Sequence, residues 1–281
     1  MRDGPAREGG SVEQREDLKR RFRLPGSGRS SAMFTVIPAI DLKDGKCVRL
    51  RQGRADDVTV YSADPVETAR SWVREGAQWL HVVDLDGAFQ GQPVHTDVVG
   101  RIAGAVPIPI ELGGGLRTDD HLRAAIDAGV SRVILGTRAV REPDTLARLA
   151  SEFGEALAVG IDARGGQVQV RGWVETTDCA ATGLAATVSG AGVSTLIYTD
   201  TARDGMMGGP NVVSLEAVCR AARCDVIASG GITSARDIGA LAALGRSNLV
   251  GAIVGKALYE QNVSLAALQS AAAPPDSSGD R

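Results

Sequence analysis

Two aspartates each close a short apolar run and are each followed by a turn signal and then a basic residue. Asp41 follows Ile37-Pro38-Ala39-Ile40 and precedes Leu42-Lys43-Asp44-Gly45 and Arg49; Asp162 follows Ala158-Val159-Gly160-Ile161 and precedes Ala163-Arg164-Gly165-Gly166 and Arg171. Such a place is the C-terminal end of a buried strand. A single aspartate there is more often a turn cap than a catalyst, because its side chain bonds readily to nearby backbone. Two in matching places of a repeat point instead to a base and an acid facing each other, since carboxyl groups in different surroundings divide proton abstraction and proton donation. Asp204, in Arg203-Asp204-Gly205, is a third carboxyl able to orient or tune Asp162, and Thr199 brings a hydroxyl to the same pocket. Arg49 and Arg171 would neutralise an anionic substrate or stand as solvated loop charges. Trp173 would stack on a planar ring or fill core.

Glycine-rich turns supply the second kind of chemistry. Gly113-Gly114-Gly115 and Gly136-Thr137 follow two apolar runs, and Ser229-Gly230-Gly231 and Gly255-Lys256 follow two later ones. Backbone N–H groups in such turns, with a helix start behind them, cradle a phosphate. One Gly-Gly turn would merely end an element. Four, paired by the repeat, predict two cradles on opposite sides of a mouth and a ligand with a phosphate at each end.

These residues need a scaffold that brings them together. From Phe34 onward, apolar runs alternate with stretches carrying Ala and Leu at helical spacing. The runs predict strands at Phe34–Ile40, Trp79–Val83, Ile108–Leu112, Arg132–Leu135, Leu157–Ile161, Thr195–Tyr198, Asp225–Ala228 and Val250–Val254. The spacing predicts helices near Pro65–Glu75, Thr96–Ala105, Asp119–Ala128, Asp144–Phe153, Cys179–Gly190, Val213–Ala222, Ala235–Leu244 and Ser264–Ala272, with an extra hairpin at Val168–Trp173. Continuously apolar strands are buried on both faces, as in a parallel sheet. Alternation of this kind builds an open doubly wound sheet or a closed (β/α)8 barrel, and the length suits the barrel. The repeat favours closure. Ala39–Gly45 matches Gly160–Gly166, Val83–Gly87 falls where Thr199–Gly205 falls, Glu111–Thr118 matches Ala228–Ser234, and Val133–Ala139 matches Ala252–Ala257. The expected fold is a TIM barrel built from two repeated half-barrels, over 33–272, between a disordered extension at 1–32 and a disordered tail at 273–281.

Composition narrows the function. The 281 residues are 43% hydrophobic and 23% charged, with a net charge of -3, which gives no footprint for nucleic acid. No apolar run approaches the ~18 residues of a membrane span. The 35 glycines exceed the usual ~7% share. Cys47, Cys179, Cys219 and Cys224 lack zinc-site spacing and read as free thiols of a cytoplasmic protein. His81 reads as a satisfied core histidine, and His95 and His121 as exposed at helix starts. Asp84 and Asp86 have no evident partner and read as loop-anchoring or substrate-positioning. No metal site, cofactor or obligate protein partner is indicated.

Ile37–Leu50, Val82–Ala88, Glu111–Arg117 and Gly255-Lys256-Ala257-Leu258-Tyr259 resemble the HisA family, the phosphoribosylformimino-5-aminoimidazole carboxamide ribotide isomerases of histidine biosynthesis. The resemblance covers about Phe34 to Ala272. It implies an Amadori rearrangement of a bisphosphorylated aminoaldose to an aminoketose, without metal or organic cofactor. By motif match it places Asp41 as base and Asp162 as acid. The sister cyclase family shares the fold and phosphate loops, but its first strand ends Cys-Leu-Asp with lysine beyond, where Ala39-Ile40 and Arg49 stand here. Two alternatives stay open: a bifunctional relative that also isomerises phosphoribosylanthranilate, which Arg171-Gly172-Trp173 also resembles, and a non-catalytic barrel that only binds a phosphorylated metabolite.

Overall fold

The computed structural model describes residues 34–50 and 57–273. The expected extension at 1–32 and all but the first residue of the expected tail at 273–281 lie outside the described residues. Twelve strands are present among them: β1 Thr35–Lys43, β2 Lys46–Leu50, β3 Val58–Ser62, β4 Leu80–Asp84, β5 Ile110–Gly113, β6 Arg132–Leu135, β7 Leu157–Arg164, β8 Gln167–Val170, β9 Glu175–Ala180, β10 Thr195–Asp200, β11 Asp225–Ser229 and β12 Leu249–Val254. Eight of these run parallel in the order β1-β4-β5-β6-β7-β10-β11-β12. The ring closes where β12 pairs with β1, Thr35 opposite Gly251 and Pro38 opposite Val254. The fold is the expected (β/α)8 barrel, and each expected barrel strand is found within a few residues of its expected bounds.

Alternate strand residues point into the ring, as the two-residue period of a strand requires. Ile37, Ala39, Trp79, Ile134, Ala158, Ile197, Ile227, Val250 and Ile253 form the small inner core. The larger apolar layer lies outside it, between strands and helices, and includes Ile40, Leu42, Leu80, Val82, Leu112, Leu135 and Val159. The strands read as continuous apolar runs because both layers draw on them.

Helix starts follow local chemistry. Asp64 accepts from Val66 and Glu67 N–H ahead of Pro65–Arg74, with the proline at the first turn, where its missing donor costs nothing. Ser234 and Asp237 form a reciprocal capping box at Ala235–Ala242. Thr118, Asn211 and Ser264 cap three others.

Two hairpins extend the barrel over its C-terminal face, one in each half. β2 pairs antiparallel with β1 and with β3; β8 pairs antiparallel with β7 and with β9. The turns match as well. Asp44 and Gly45 have φ of 50° and 71°, and Gly165 and Gly166 have φ of 58° and 82°, the doubly left-handed turn that twists with a hairpin. The first hairpin was not expected, although Asp44-Gly45 signals it. The second is expected at Val168–Trp173, whereas β8 ends at Val170 and pairs with β7 on one side and β9 on the other. Cys179 accordingly lies in a strand, and the helix begins at Ala181. Thr177 Oγ1 donates to the Val168 carbonyl at 2.9 Å and helps hold that pairing.

The half-barrel repeat extends to single side chains. Asp84, at the end of β4, accepts from the N–H of Gly87, Val94 and His95 at 2.8, 2.7 and 2.9 Å. Asp200, at the end of β10, accepts from Ala202 and Arg203 N–H and from Asn211 Nδ2 at 3.0, 3.3 and 2.7 Å. Each aspartate braces the loop beyond its strand, and the next strand's glycine packs against it: a Cβ at Gly114 would strike the Asp84 backbone, and one at Gly230 the Asp200 carbonyl.

Candidate active site

Asp41 and Asp162 lie on opposite strands of the ring, β1 and β7, and both line one cavity at its C-terminal mouth, together with Arg49, His81, Thr199 and Asp204. The surroundings of the two carboxyl groups differ. Asp41 Oδ2 receives Arg49 Nη1 at 2.6 Å, and both side chains are 13% exposed. Burial works against the Arg49 charge, but Asp41, with Tyr259 and Asp204 beyond it, more than offsets that, and the guanidinium pKa stands above its ordinary value. Asp162 has no cation bonded to it among the described residues. Burial pushes its carboxyl up from the ordinary value, and the polar groups of Trp173 and Thr199 pull it back only in part. One carboxylate is thus half of a buried ion pair, while the other is driven toward its protonated form.

Asp204 completes the group. Burial first, opposed by Arg49 and reinforced by the Asp41 and Asp162 carboxylates, pushes it up to about 6. A free aspartate titrates near 3.9, so the folded chain holds this proton more tightly than the unfolded chain does. Stability therefore falls as pH rises from about 4 to about 6, then levels. Asp204→Asn removes that burden. It is expected to melt above the parent protein at about pH 8, with the gain gone near pH 4. Paired thermal melts check this; an equal gain at both pH values would trace the effect to something other than the buried charge.

The glycine turns stand on opposite sides of the mouth. Gly114 and Gly115 have φ of 100° and 73°, Gly230 and Gly231 φ of 90° and 82°, a region open to glycine at no steric cost. Gly136 begins the short helix Thr137–Arg141 with φ -106° and ψ -99°; Gly255 begins Lys256–Tyr259 with φ -115° and ψ -94°. Neither helix start carries a side-chain cap, so their first N–H groups are available to an anion. Gly114, Gly115, Gly136 and Thr137 line the main cavity with Ser229 and Gly255, while Gly230, Gly231 and Lys256 line an adjoining recess that shares Arg49, Asp204 and Gly255 with it. Every expected site residue borders one of these two spaces.

The structure adds detail at several of these residues and differs from expectation at one. The Thr137 hydroxyl accepts from Arg171 N–H at 2.9 Å and so tethers the loop beyond β8. Arg171 is 63% exposed at the rim, 3.9 Å from Glu175. Trp173 is half-buried, lines the mouth and faces Asp162. His95 is not exposed: its Nε2 meets Asp86 Oδ2 at 2.6 Å with the ring 11% exposed. Asp86 also accepts from Asp44 N–H at 2.7 Å, which makes it a loop anchor.

His81 is the site residue that sequence reasoning passed over. It is satisfied, as expected, with Nδ1 2.8 Å from Glu111 Oε1, yet its ring lines the mouth instead of the core. Glu111 is fully buried and also receives Arg132 Nη1 at 3.1 Å. Burial opposes its charge, but His81 and Arg132 outweigh that and hold it below the ordinary glutamate value. The alternation along β4 carried the signal, since His81 is two residues from inward-facing Trp79.

The chain is similar to known proteins over most of its described length. Residues 35–264 match the family model described as "Histidine biosynthesis protein". A protein of Hahella chejuensis is 50% identical over 236 residues, 84% of this chain and 97% of its own length. One of Acinetobacter baylyi is 51% identical over 231 residues, covering 82% and 94%. One of Acaryochloris marina is 47% identical over 239 residues, covering 85% and 93%. All three are named 1-(5-phosphoribosyl)-5-((5-phosphoribosylamino)methylideneamino) imidazole-4-carboxamide isomerase.

Proposed function

The chain belongs to the histidine biosynthesis protein family, and from that premise we propose that it is an aldose–ketose isomerase performing an Amadori rearrangement on a substrate with two phosphoribosyl groups. The observation that carries the reading is the unequal pair of carboxyl groups between two matched glycine seats. The seats hold the two phosphates, one on β5 and β6 and the other on β11 and β12. The span between them fixes the sugar against the carboxyl groups, so binding energy from the phosphates orients the reacting carbon.

Protonated Asp162 gives its proton to the ribose ring oxygen, and the furanose opens. Asp41, ion-paired with Arg49, then takes the C2′ proton. The enolamine that results tautomerises to the ketone. Asp204 tunes the acid by charge repulsion, and Thr199 and Trp173 hold it in place. Arg171, at the rim, adds positive charge for the phosphorylated ligand. Each proton moves between substrate and side chain, with no electron carrier in the sequence of steps. A reducing cytoplasm is the compartment this reading supplies, in keeping with four cysteines that form no disulfide. Among the described residues, no helix is long and apolar enough to cross a membrane.

The direct test is an assay of the purified protein on the bisphosphorylated formimino aminoaldose and, separately, on phosphoribosylanthranilate. Conversion of the first to its aminoketose is expected. No conversion would leave only a binding barrel. The relatives' names give the first substrate alone, so the dual-substrate alternative gains nothing from them.

A further inference from the structure

Arg49 is held to Asp41 by surprisingly little. Nη1 donates to Asp41 and Nη2 to the Ala39 carbonyl at 3.3 Å, while Nε is buried and without a hydrogen-bond partner among the described residues. Both bonds run in the guanidinium plane, so its faces are held by packing alone. The guanidinium carbon lies over the Tyr259 ring, 5.5 Å from the ring centre. That ring is itself fixed on two sides. Trp72, from Pro65–Arg74, meets it edge-on at 5.4 Å and 88°, and Tyr61, from β3, lies at 4.9 Å and 39°.

The same short turn builds both walls of the Arg49 slot. A Cβ at Gly255 would run into the guanidinium, and Gly255 O receives the N–H of Tyr259 one helical turn on. The Tyr259 hydroxyl makes no hydrogen bond of good geometry among the described residues. Burial pushes the phenol above its ordinary value, so it is no source of protons near neutrality. The ring, not the hydroxyl, is the useful part.

The repeat supplies a comparison within the molecule. Four residues after Gly136, where Tyr259 stands after Gly255, the chain has Val140. Asp162, on the strand beside that turn, correspondingly has no bonded cation among the described residues. Aromatic platform and bonded arginine occur together, at the junction between the halves where β12 lies beside β1 and the carboxyl group is ion-paired.

We propose that Tyr259 is a positioning residue for the reaction: its ring is the platform that keeps the Arg49 guanidinium in the orientation from which it holds the Asp41 carboxylate. This rests on the reading of Asp41 as the base. A guanidinium over an aromatic face in a partly desolvated slot contributes enough to matter for geometry, and small misplacement of a catalytic group is costly in rate.

The test is a set of variants assayed on the bisphosphorylated aminoaldose, each with a thermal melt: Tyr259→Phe, Tyr259→Leu, Arg49→Gln and the double variant. Tyr259→Phe is expected to stay within about twofold of parental kcat, because the ring remains. Tyr259→Leu is expected to lose about tenfold in kcat with KM changed by less than about threefold. In the Arg49→Gln background, Tyr259→Leu is expected to cost nothing further, since the platform then has nothing to hold. Parental kcat in Tyr259→Leu, or the same loss in both backgrounds, overturns the proposal. Should Tyr259→Leu not fold, Tyr259→Met, of similar volume, carries the same comparison. The loss of non-additivity is distinct from failure of the base assignment, which would show instead as near-parental turnover in Asp41→Asn.

Discussion

Asp162→Asn is expected to lower kcat by about three orders of magnitude while KM moves by less than about threefold. The amide has the shape of the carboxyl group and can keep its place beside Trp173 and Thr199, so the substrate still docks between its two phosphate seats. What it lacks is an acidic proton. A positioned general acid contributes roughly 10²- to 10⁴-fold, and ring opening has no substitute donor as well placed. Asp41→Asn is expected to fall as far, for the opposite reason: the ion pair with Arg49 becomes a neutral amide that cannot accept the C2′ proton. Steady-state kinetics with calorimetric measurement of substrate binding checks both. Near-parental turnover in either variant removes that residue from the mechanism.

Glu111→Leu is expected to be the most destabilising single change at the site, by about 3–5 kcal/mol. Glu111 is wholly buried between His81 and Arg132, whose side chain is 3% exposed and whose guanidinium lies 4.4 Å over the Trp79 ring. The pair is not there because it outcompetes an apolar core. Its removal is costly because the buried Arg132 charge loses a carboxylate 3.1 Å away in a low dielectric. For a chain of this size that is about 10 °C in Tm, read by thermal melting. A drop of less than about 3 °C would show that the site relaxes or admits water. Turnover should suffer too, since Glu111 fixes the His81 ring at the mouth.

Most of this architecture was legible in the residues. Strands such as Arg132–Leu135 and helices such as Thr96–Ala105 fall where periodicity places them, because a closed parallel barrel buries both faces of every strand and leaves helices one apolar stripe. The paired glycines and aspartates were legible because the repeat presents each twice. What escaped was whatever breaks the eightfold pattern. β2 and β3 belong to no βα unit, and β9, which sets exposed Thr176, Asp178 and Ala180 between half-buried residues, carries no apolar run to mark it. The role of His81 escaped because a histidine in an apolar strand looks alike whether it points outward to helices or inward to the mouth; only register decides. Tyr259 carries no signal of its own in the sequence, since its value lies in a contact with a residue some two hundred positions away.

The claim on which the account stands is a division of labour: Asp162 opens the ring and Asp41 breaks the C2′–H bond. Kinetic isotope effects on kcat, with deuterium at C2′ of the substrate, separate the two steps in the two variants. Slowing the base makes C–H cleavage limiting, so a large effect is expected in Asp41→Asn. Slowing the acid makes ring opening limiting, so an effect near unity is expected in Asp162→Asn. A large effect in Asp162→Asn together with none in Asp41→Asn would contradict the assignment.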